Sequence, residues 1–179
     1  MFIDVSEIRQ VPDTQEVFIN EIPSDSGHSK EKQLFYDQSL IIDLLEQVSS
    51  SEYKSAIAEH MQDIAPSSAE NIPLEQMEDA SDNEIMRYFS YLVFKPEYKR
   101  QEKNQATKIV LLVCLIRLNK VETDVIIQYV IPLKSGDEVG ETINFTNPKS
   151  DVDSLVAEKY KFFKEICTKF KVDDWNLFA

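Results

Sequence analysis

Residues Lys108–Leu118 read KIVLLVCLIRL, a run that is apolar at nearly every position. In an extended strand, successive side chains point to opposite faces. One face would carry Val110, Leu112, Cys114 and Ile116, and the other Ile109, Leu111, Val113 and Leu115. A strand with two apolar faces needs other layers to cover both of them. The stretch therefore predicts a central strand in a sheet that is packed on both sides.

Further strands are predicted on either side of this one. A second β-branched run, Val125–Ile131, follows after the short loop Asn119–Thr123. A parallel return would need a crossover of about a dozen residues or more, so the two runs are predicted to form an antiparallel hairpin. Glu16–Asn20 and the aromatic stretch Ile85–Phe94 are also typical of strands, and a short extended piece is expected at Ile72–Met77.

Three helices are predicted from apolar residues at helical spacing. The first covers Leu40–Val48, the second covers Glu52–Ile64 and ends before Pro66, and the third covers Val152–Phe170. Helices of this kind can cover the two faces of the sheet. The expected fold class is α+β, a three-layer α/β/α sandwich with a central, mainly antiparallel sheet.

Length and composition indicate one domain over residues 1–179. A chain of 179 residues with 42% hydrophobic content can build a core without disulfides or metals. The formal net charge of −13 opposes binding to nucleic acid and to anionic membranes, and it favours a basic protein partner. Cys114 and Cys167 lie in apolar contexts, as expected of a protein in a reducing, intracellular compartment. The longest apolar run, Ile109–Ile116, is too short to span a bilayer.

The sequence offers no catalytic or cofactor motif. None of its three glycines lies in a strand–turn–helix phosphate loop. His28 and His60 have no second histidine at metal-ligand spacing, and both cysteines occupy positions typical of a core. We therefore predict a non-catalytic binding protein that needs neither metal nor cofactor.

The candidate binding feature is the turn Val11–Val17, which reads VPDTQEV. Pro12 favours a turn, Asp13 can accept hydrogen bonds from backbone amides two or three positions later, and Glu16 lies where a local capping arrangement would place an acid. The residues alone leave two hypotheses equally open. Asp13 either stabilises its own turn or contacts a partner.

Several segments, in the same order along the chain, resemble the Mog family of Ran-binding nuclear-import factors. They are Ile3–Ser6 with Arg9, Val11–Phe18, Asp37–Ile41 with Leu44–Glu46, Leu115–Leu118, Thr123–Val125 and Leu177–Ala179. The resemblance covers most of the chain and implies a three-layer sandwich similar to the PsbP-like photosystem proteins.

The resemblance also implies a function. It gives Asp13 and Glu16 the central contacts with the GTPase Ran, and it lets Asp4, Asp37 and Glu46 extend the same acidic surface. The implied activity is the promotion of guanine nucleotide release from Ran, in support of nuclear protein import. The protein would then act in the nucleus and the cytoplasm.

The chain departs from the family pattern at one place. Family members usually carry a Gly-Gly-Ala-containing strand just before the stretch that matches Phe2–Ser6, so the domain is expected to lack that first strand. We expect a monomer, with association through the unpaired sheet edge as the alternative. Two other functions stay open, a scaffold or trafficking adaptor for other partners and a sandwich domain that binds a small ligand in a pocket.

Overall fold

The computed structural model describes residues 2–22, 29–79, 85–100, 104–135 and 140–178. In these ranges the chain forms one seven-stranded antiparallel sheet. The strands are β1 (Phe2–Asp4), β2 (Gln15–Asn20), β3 (Gln38–Glu46), β4 (Ile72–Glu78), β5 (Ile85–Phe94), β6 (Lys108–Leu118) and β7 (Thr123–Leu133). Their order across the sheet is β1-β2-β3-β7-β6-β5-β4.

Three α-helices accompany the sheet in the described ranges: α1 (Lys30–Leu34), α2 (Tyr53–His60) and α3 (Asp151–Lys169). Short 3-10 turns occupy Val5–Glu7, Asn119–Val121 and Trp175–Phe178. The side chain of Ser150 caps α3 by accepting a hydrogen bond from the Asp153 N–H at 3.0 Å. No helix in these ranges has the length and apolar character that crossing a membrane requires.

The hairpin predicted from the KIVLLVCLIRL stretch is confirmed. β6 pairs with β7 over its whole length, from Lys108 opposite Leu133 to Leu118 opposite Thr123. The turn between them places Glu122 in the left-handed conformation, with a φ of 48°. Non-glycine residues adopt this conformation only rarely, mainly in tight turns.

The two faces of β6 pack into two separate cores, which confirms the three-layer arrangement. The α3 face buries Val110, Leu112, Cys114 and Ile116 with Val152, Val156, Phe163 and Cys167 of the helix. The α2 face buries Leu111, Val113 and Leu115 with Ala56, Ile57 and Met61. The alternation of apolar side chains in β6 therefore reflects two helical layers, one on each side of the sheet.

The helix predicted at Leu40–Val48 is wrong, because this segment forms β3. It lies between β2 and β7 and pairs with both. Asp43, which a helix would have turned to solvent, is buried at 9% exposure and accepts hydrogen bonds from Gln15 Nε2 at 2.6 Å and Gln128 Nε2 at 2.8 Å. The remaining predicted elements are confirmed with small changes of bounds, the largest being a shorter α2.

Candidate partner-binding site

The turn before β2 is held by main-chain hydrogen bonds. The Gln15 N–H donates to the Pro12 carbonyl oxygen at 3.0 Å. The Leu44 N–H donates to the Thr14 carbonyl oxygen at 2.8 Å, which ties the turn to the end of β3. The turn is therefore fixed to the central sheet without help from an acidic side chain.

The carboxylates of Asp13 and Glu16 are exposed. Within the described ranges, neither forms a hydrogen bond or an ion pair with another side chain or with the backbone. Of the two hypotheses for Asp13, stabilisation of its own turn thus lacks the hydrogen bond that it requires. Glu16 lies opposite Ile42 of β3, on the face of the sheet that α3 covers farther along. Both carboxylates are free to contact another molecule.

Glu46 lies at the same end of the sheet as the turn. β2 begins where β3 ends, because Gln15 is opposite Asp43, and Glu46 is the last residue of β3. Its side chain is exposed and has no hydrogen bond or ion pair in the part of the chain that the structure describes. Three unneutralised acids, Asp13, Glu16 and Glu46, therefore share one end of the sheet.

The other two predicted acids are engaged locally. Asp4 accepts hydrogen bonds from the Ser6 hydroxyl at 2.7 Å and the Ser6 N–H at 2.8 Å, and these bonds lower the pKa of Asp4 below its ordinary value. Asp37 precedes β3 and accepts a hydrogen bond from the Ile22 N–H at 3.0 Å. The length of β3, roughly 30 Å at about 3.4 Å per residue, separates Asp37 from Glu46. The five acids do not form one continuous patch.

An open groove of about 1150 Å³ adjoins the turn. Thr14, directly after Asp13, lines it together with Leu44 and Glu46 from β3. The β6–β7 turn contributes Glu122 to the lining. The groove was not predicted from the sequence, because its shape depends on how the end of β3 meets that turn. The main-chain link is a hydrogen bond of 2.8 Å from the Gln47 N–H to the Glu122 carbonyl oxygen.

A buried ion network lies behind the groove. Arg117 donates from Nε and Nη2 to the two carboxylate oxygens of Asp124, at 2.8 and 2.9 Å, and His60 Nε2 lies 2.8 Å from Asp124 Oδ2. Burial acts to raise the pKa of Asp124, but the hydrogen bonds from Arg117 and His60 outweigh it and lower the pKa to about 2. The carboxylate is fully buried and remains ionised.

This network holds in place the segment at 48–50, which forms one wall of the groove. Asp124 Oδ2 accepts a hydrogen bond from the Val48 N–H at 3.3 Å, and Arg117 Nη1 donates to the Ser50 carbonyl oxygen at 2.6 Å. The Arg117 guanidinium also lies over the ring of Tyr53, 5.7 Å from its centroid. The pair of Arg117 and Asp124 was not predicted from the sequence. The register of the predicted hairpin, which places the two residues opposite each other, would have indicated it.

Catalytic chemistry finds little support in the described residues. Cys114 and Cys167 are fully buried, and burial raises the pKa of the Cys114 thiol well above its ordinary value, so it is not a thiolate nucleophile. The described ranges contain no group of three or more His, Cys, Asp or Glu side chains that could hold a metal ion. A separate cavity of about 540 Å³, lined in part by Met61 and Leu92, lies away from the turn and is a place where the small-ligand alternative can be tested.

The sequence matches the family described as "Ran-interacting Mog1 protein" over residues 1–132, a range that ends within β7. The chain belongs to the Mog1 family. A curated Mog1 relative, "Nuclear import protein MOG1" of Saccharomyces cerevisiae, is 32% identical over 178 residues, which are 99% of this chain and 77% of the relative.

Two solved Mog1 structures are similar to this one. The first is a mutant of protein Mog1 in which one glutamate is replaced by alanine, with a TM-score of 0.60 and 26% identity. The second is the crystal structure of the Saccharomyces cerevisiae Ran-binding protein Mog1p, with a TM-score of 0.60 and 27% identity. Each match covers 99% of this chain and 89% of the solved chain. The resemblance stated from the sequence and the expected α+β fold are confirmed.

Proposed function

We propose that this protein binds Ran through Asp13 and Glu16 and promotes the release of guanine nucleotide from it, in support of nuclear protein import. The proposal is supported by membership of a family described as Ran-interacting and by similarity to a yeast nuclear import protein. The observation that carries it is the pair of exposed carboxylates, which have no partner among the residues that the structure describes and lie on a turn that main-chain hydrogen bonds hold in place.

Lysine and arginine side chains are the natural partners of these carboxylates. Charge-assisted hydrogen bonds to a carboxylate are shorter and stronger than neutral ones, and they gain strength when water is excluded. The net charge of −13 would also attract a basic surface from a distance. Because the turn is already fixed to the sheet, little conformational entropy is lost when it binds.

Nucleotide release requires no covalent chemistry from this chain. Asp13 or Glu16 would compete for a phosphate-binding lysine or for the magnesium ion of Ran, so that the nucleotide loses part of its electrostatic hold. In this mechanism the chain acts as a non-catalytic release factor and needs no cofactor. Glu46 lies at the same end of the sheet and supports the contact, whereas Asp4 and Asp37 contribute less because hydrogen bonds within the chain already occupy them.

The proposed function also implies a location and an oligomeric state for the protein. We propose that residues 1–179 form one domain and that the protein is a monomer. It acts in the nucleus and the cytoplasm, without nucleic acid or membrane as a partner. Net negative charge disfavours both of those surfaces. Whether the domain lacks the first strand of its family stays a prediction.

The decisive test replaces both carboxylates by their neutral amides. Asp13→Asn with Glu16→Gln should weaken binding to purified Ran by at least about 100-fold, because two charge-assisted contacts of roughly 1.5–3 kcal/mol each are lost. Binding is measured by calorimetry, and nucleotide release with Ran loaded with labelled GDP or labelled GTP. The thermal unfolding midpoint should stay unchanged, because neither side chain bonds within the described fold.

The matched control is Glu97→Gln with Glu158→Gln, two exposed acids of which the first follows β5 at the opposite end of the sheet from the turn and the second lies on α3. It removes the same charge and should leave Ran binding near the wild-type value. Unchanged binding by a folded Asp13/Glu16 variant would contradict the site. A wild-type chain that binds no Ran would instead favour the scaffold or small-ligand hypotheses.

A further inference from the structure

The groove beside the turn has features that suit a cationic side chain. We propose that a lysine or arginine of Ran inserts into this groove, between Glu46 and Glu122, while Asp13 and Glu16 make their own contacts. This inference rests on the proposed function and adds a second, separate subsite to it. Glu122, Leu44, Val121 and Phe178 are the new contact residues that it names.

The acids of the groove are not neutralised by the described side chains around them. Glu46 and Glu122 are both exposed, and neither carboxylate has a hydrogen bond or ion pair within the described ranges. Of the described side chains that line the groove, Arg117 carries a positive charge, and Asp124 already neutralises it through two hydrogen bonds. The groove therefore presents uncompensated negative charge, which a guanidinium or ammonium group would neutralise.

Apolar surface in the same groove suits the stem of such a side chain. Leu44 is 36% exposed although it belongs to a central strand, and it lines the groove with Val121 and Phe178. Lysine and arginine bury their methylene chains against apolar surface while the charged head meets polar groups. A lining that combines apolar side chains with exposed acids fits this type of side chain better than it fits a wholly apolar one.

The groove is also preorganised. Its wall at 48–53 is tied to the buried network by the bonds from the Val48 N–H to Asp124 and from Arg117 to the Ser50 carbonyl oxygen. On the opposite side, Gln47 ties the end of β3 to the β6–β7 turn. Its N–H donates to the Glu122 carbonyl oxygen, and its Nε2 donates a hydrogen bond of 2.9 Å to Asn119 Oδ1. A rigid site loses little entropy when it is filled.

Continuity with the turn identifies the occupant as part of the same partner. Thr14 lines the groove and directly follows Asp13, and its carbonyl oxygen bonds to the Leu44 N–H at 2.8 Å. A protein that covers Asp13 and Glu16 would also cover this opening. A standard interface buries about 800 Å² on each partner, which is large enough to include both features.

The test compares removal of the two groove carboxylates with removal of two control carboxylates elsewhere on the same fold. Glu46→Gln with Glu122→Gln should weaken binding of the full chain to purified Ran by about tenfold at low salt, and less at high salt, because screening already reduces the lost attraction. Leu44→Ala should weaken binding several-fold without changing its salt dependence, because it removes apolar contact alone. Glu97→Gln with Glu158→Gln is again the control, and thermal unfolding verifies that each variant is folded.

The outcomes separate the two proposals. If Asp13→Asn with Glu16→Gln weakens binding while Glu46→Gln with Glu122→Gln matches the control, the groove proposal is wrong and the proposed function stands. If wild-type protein fails to bind Ran, the proposed function is wrong and the groove loses its occupant. Weakening by both pairs, with a reduced salt dependence for the groove pair, supports both.

Discussion

At the scale of single residues, Asp124 shows how a buried charge is made tolerable. An unpaired ion in a protein interior is very costly, and two hydrogen bonds from Arg117 together with the nearby His60 ring compensate for its desolvation. Removing one partner of such a pair leaves a buried charge without compensation. The network also holds the segment that follows β3, through the hydrogen bonds from the Val48 N–H to Asp124 and from Arg117 to the Ser50 carbonyl oxygen.

The pH dependence of stability should report this residue. The pKa of Asp124 falls from 3.8 to about 2 on folding, so the unfolded chain binds the proton more readily. Its contribution, up to about 2 kcal/mol, is fully present above pH 4 and is lost as the pH falls toward 2. Urea unfolding at a series of pH values between 6 and 2 measures the free energy of unfolding.

The matched variant is Asp124→Asn, which keeps the shape and removes the charge. We expect it to be less stable by about 3–5 kcal/mol at pH 7, because Arg117 then lies buried without its counter-ion. Its free energy of unfolding should also change less between pH 4 and pH 2 than that of the wild type. An equal pH dependence in both proteins would show that Asp124 does not have a lowered pKa.

At the scale of elements, the sequence predicts some segments much better than others. In β6, both faces are apolar and the following run is β-branched, a combination that favours a central strand covered on both sides. In β3, the residues LIIDLL are apolar at positions that fit helical spacing and strand spacing alike, so the local pattern cannot decide. Pairing with β2 and β7 decides it, and that information lies far away in the sequence.

Two leucines of β3 distinguish the observed strand from the predicted helix. Leu40 is 6% exposed and lies opposite Tyr129, whereas Leu44 lies near the end of the strand and is 36% exposed. Leu40→Ala should lower the free energy of unfolding by about 2–4 kcal/mol, and Leu44→Ala by less than about 1 kcal/mol. In a helix the two would share one buried stripe, so equal losses in urea unfolding would contradict the strand.

Part of the candidate site could be predicted from the sequence, because that part lies within one short segment. Asp13 and Glu16 belong to a local motif of proline and acids that the sequence displays directly. Glu122 does not, because its place beside Glu46 depends on the register of β3 with β7, in which Glu46 is opposite Thr123. A site formed from one turn is visible in the sequence, whereas a groove formed by three segments requires the fold.

At the scale of the whole molecule, the sheet acts as a rigid support for one acidic end. The turn, the end of β3 and the β6–β7 turn are joined by main-chain hydrogen bonds, so the backbone positions that carry their acids are fixed relative to one another. Charges carried on a rigid backbone can compete with a nucleotide for the same cations on a partner without a rearrangement of the fold. The proposed release activity then becomes a matter of competing equilibria between two ligands of Ran.

This competition makes a quantitative prediction about the two ligands. If the chain weakens the binding of nucleotide to Ran by some factor, nucleotide must weaken the binding of the chain by the same factor, because the two orders of binding form one thermodynamic cycle. A factor between about 5 and 150 is typical of such coupling. Both factors can be measured by titrating nucleotide-free Ran and nucleotide-loaded Ran with the chain, and by titrating Ran with nucleotide in the presence and absence of the chain.

Asp13→Asn with Glu16→Gln should reduce both factors equally toward one, while Glu97→Gln with Glu158→Gln should leave them unchanged. A folded chain that binds empty and loaded Ran with the same affinity would contradict release by competition, even if Asp13 and Glu16 proved to be contacts.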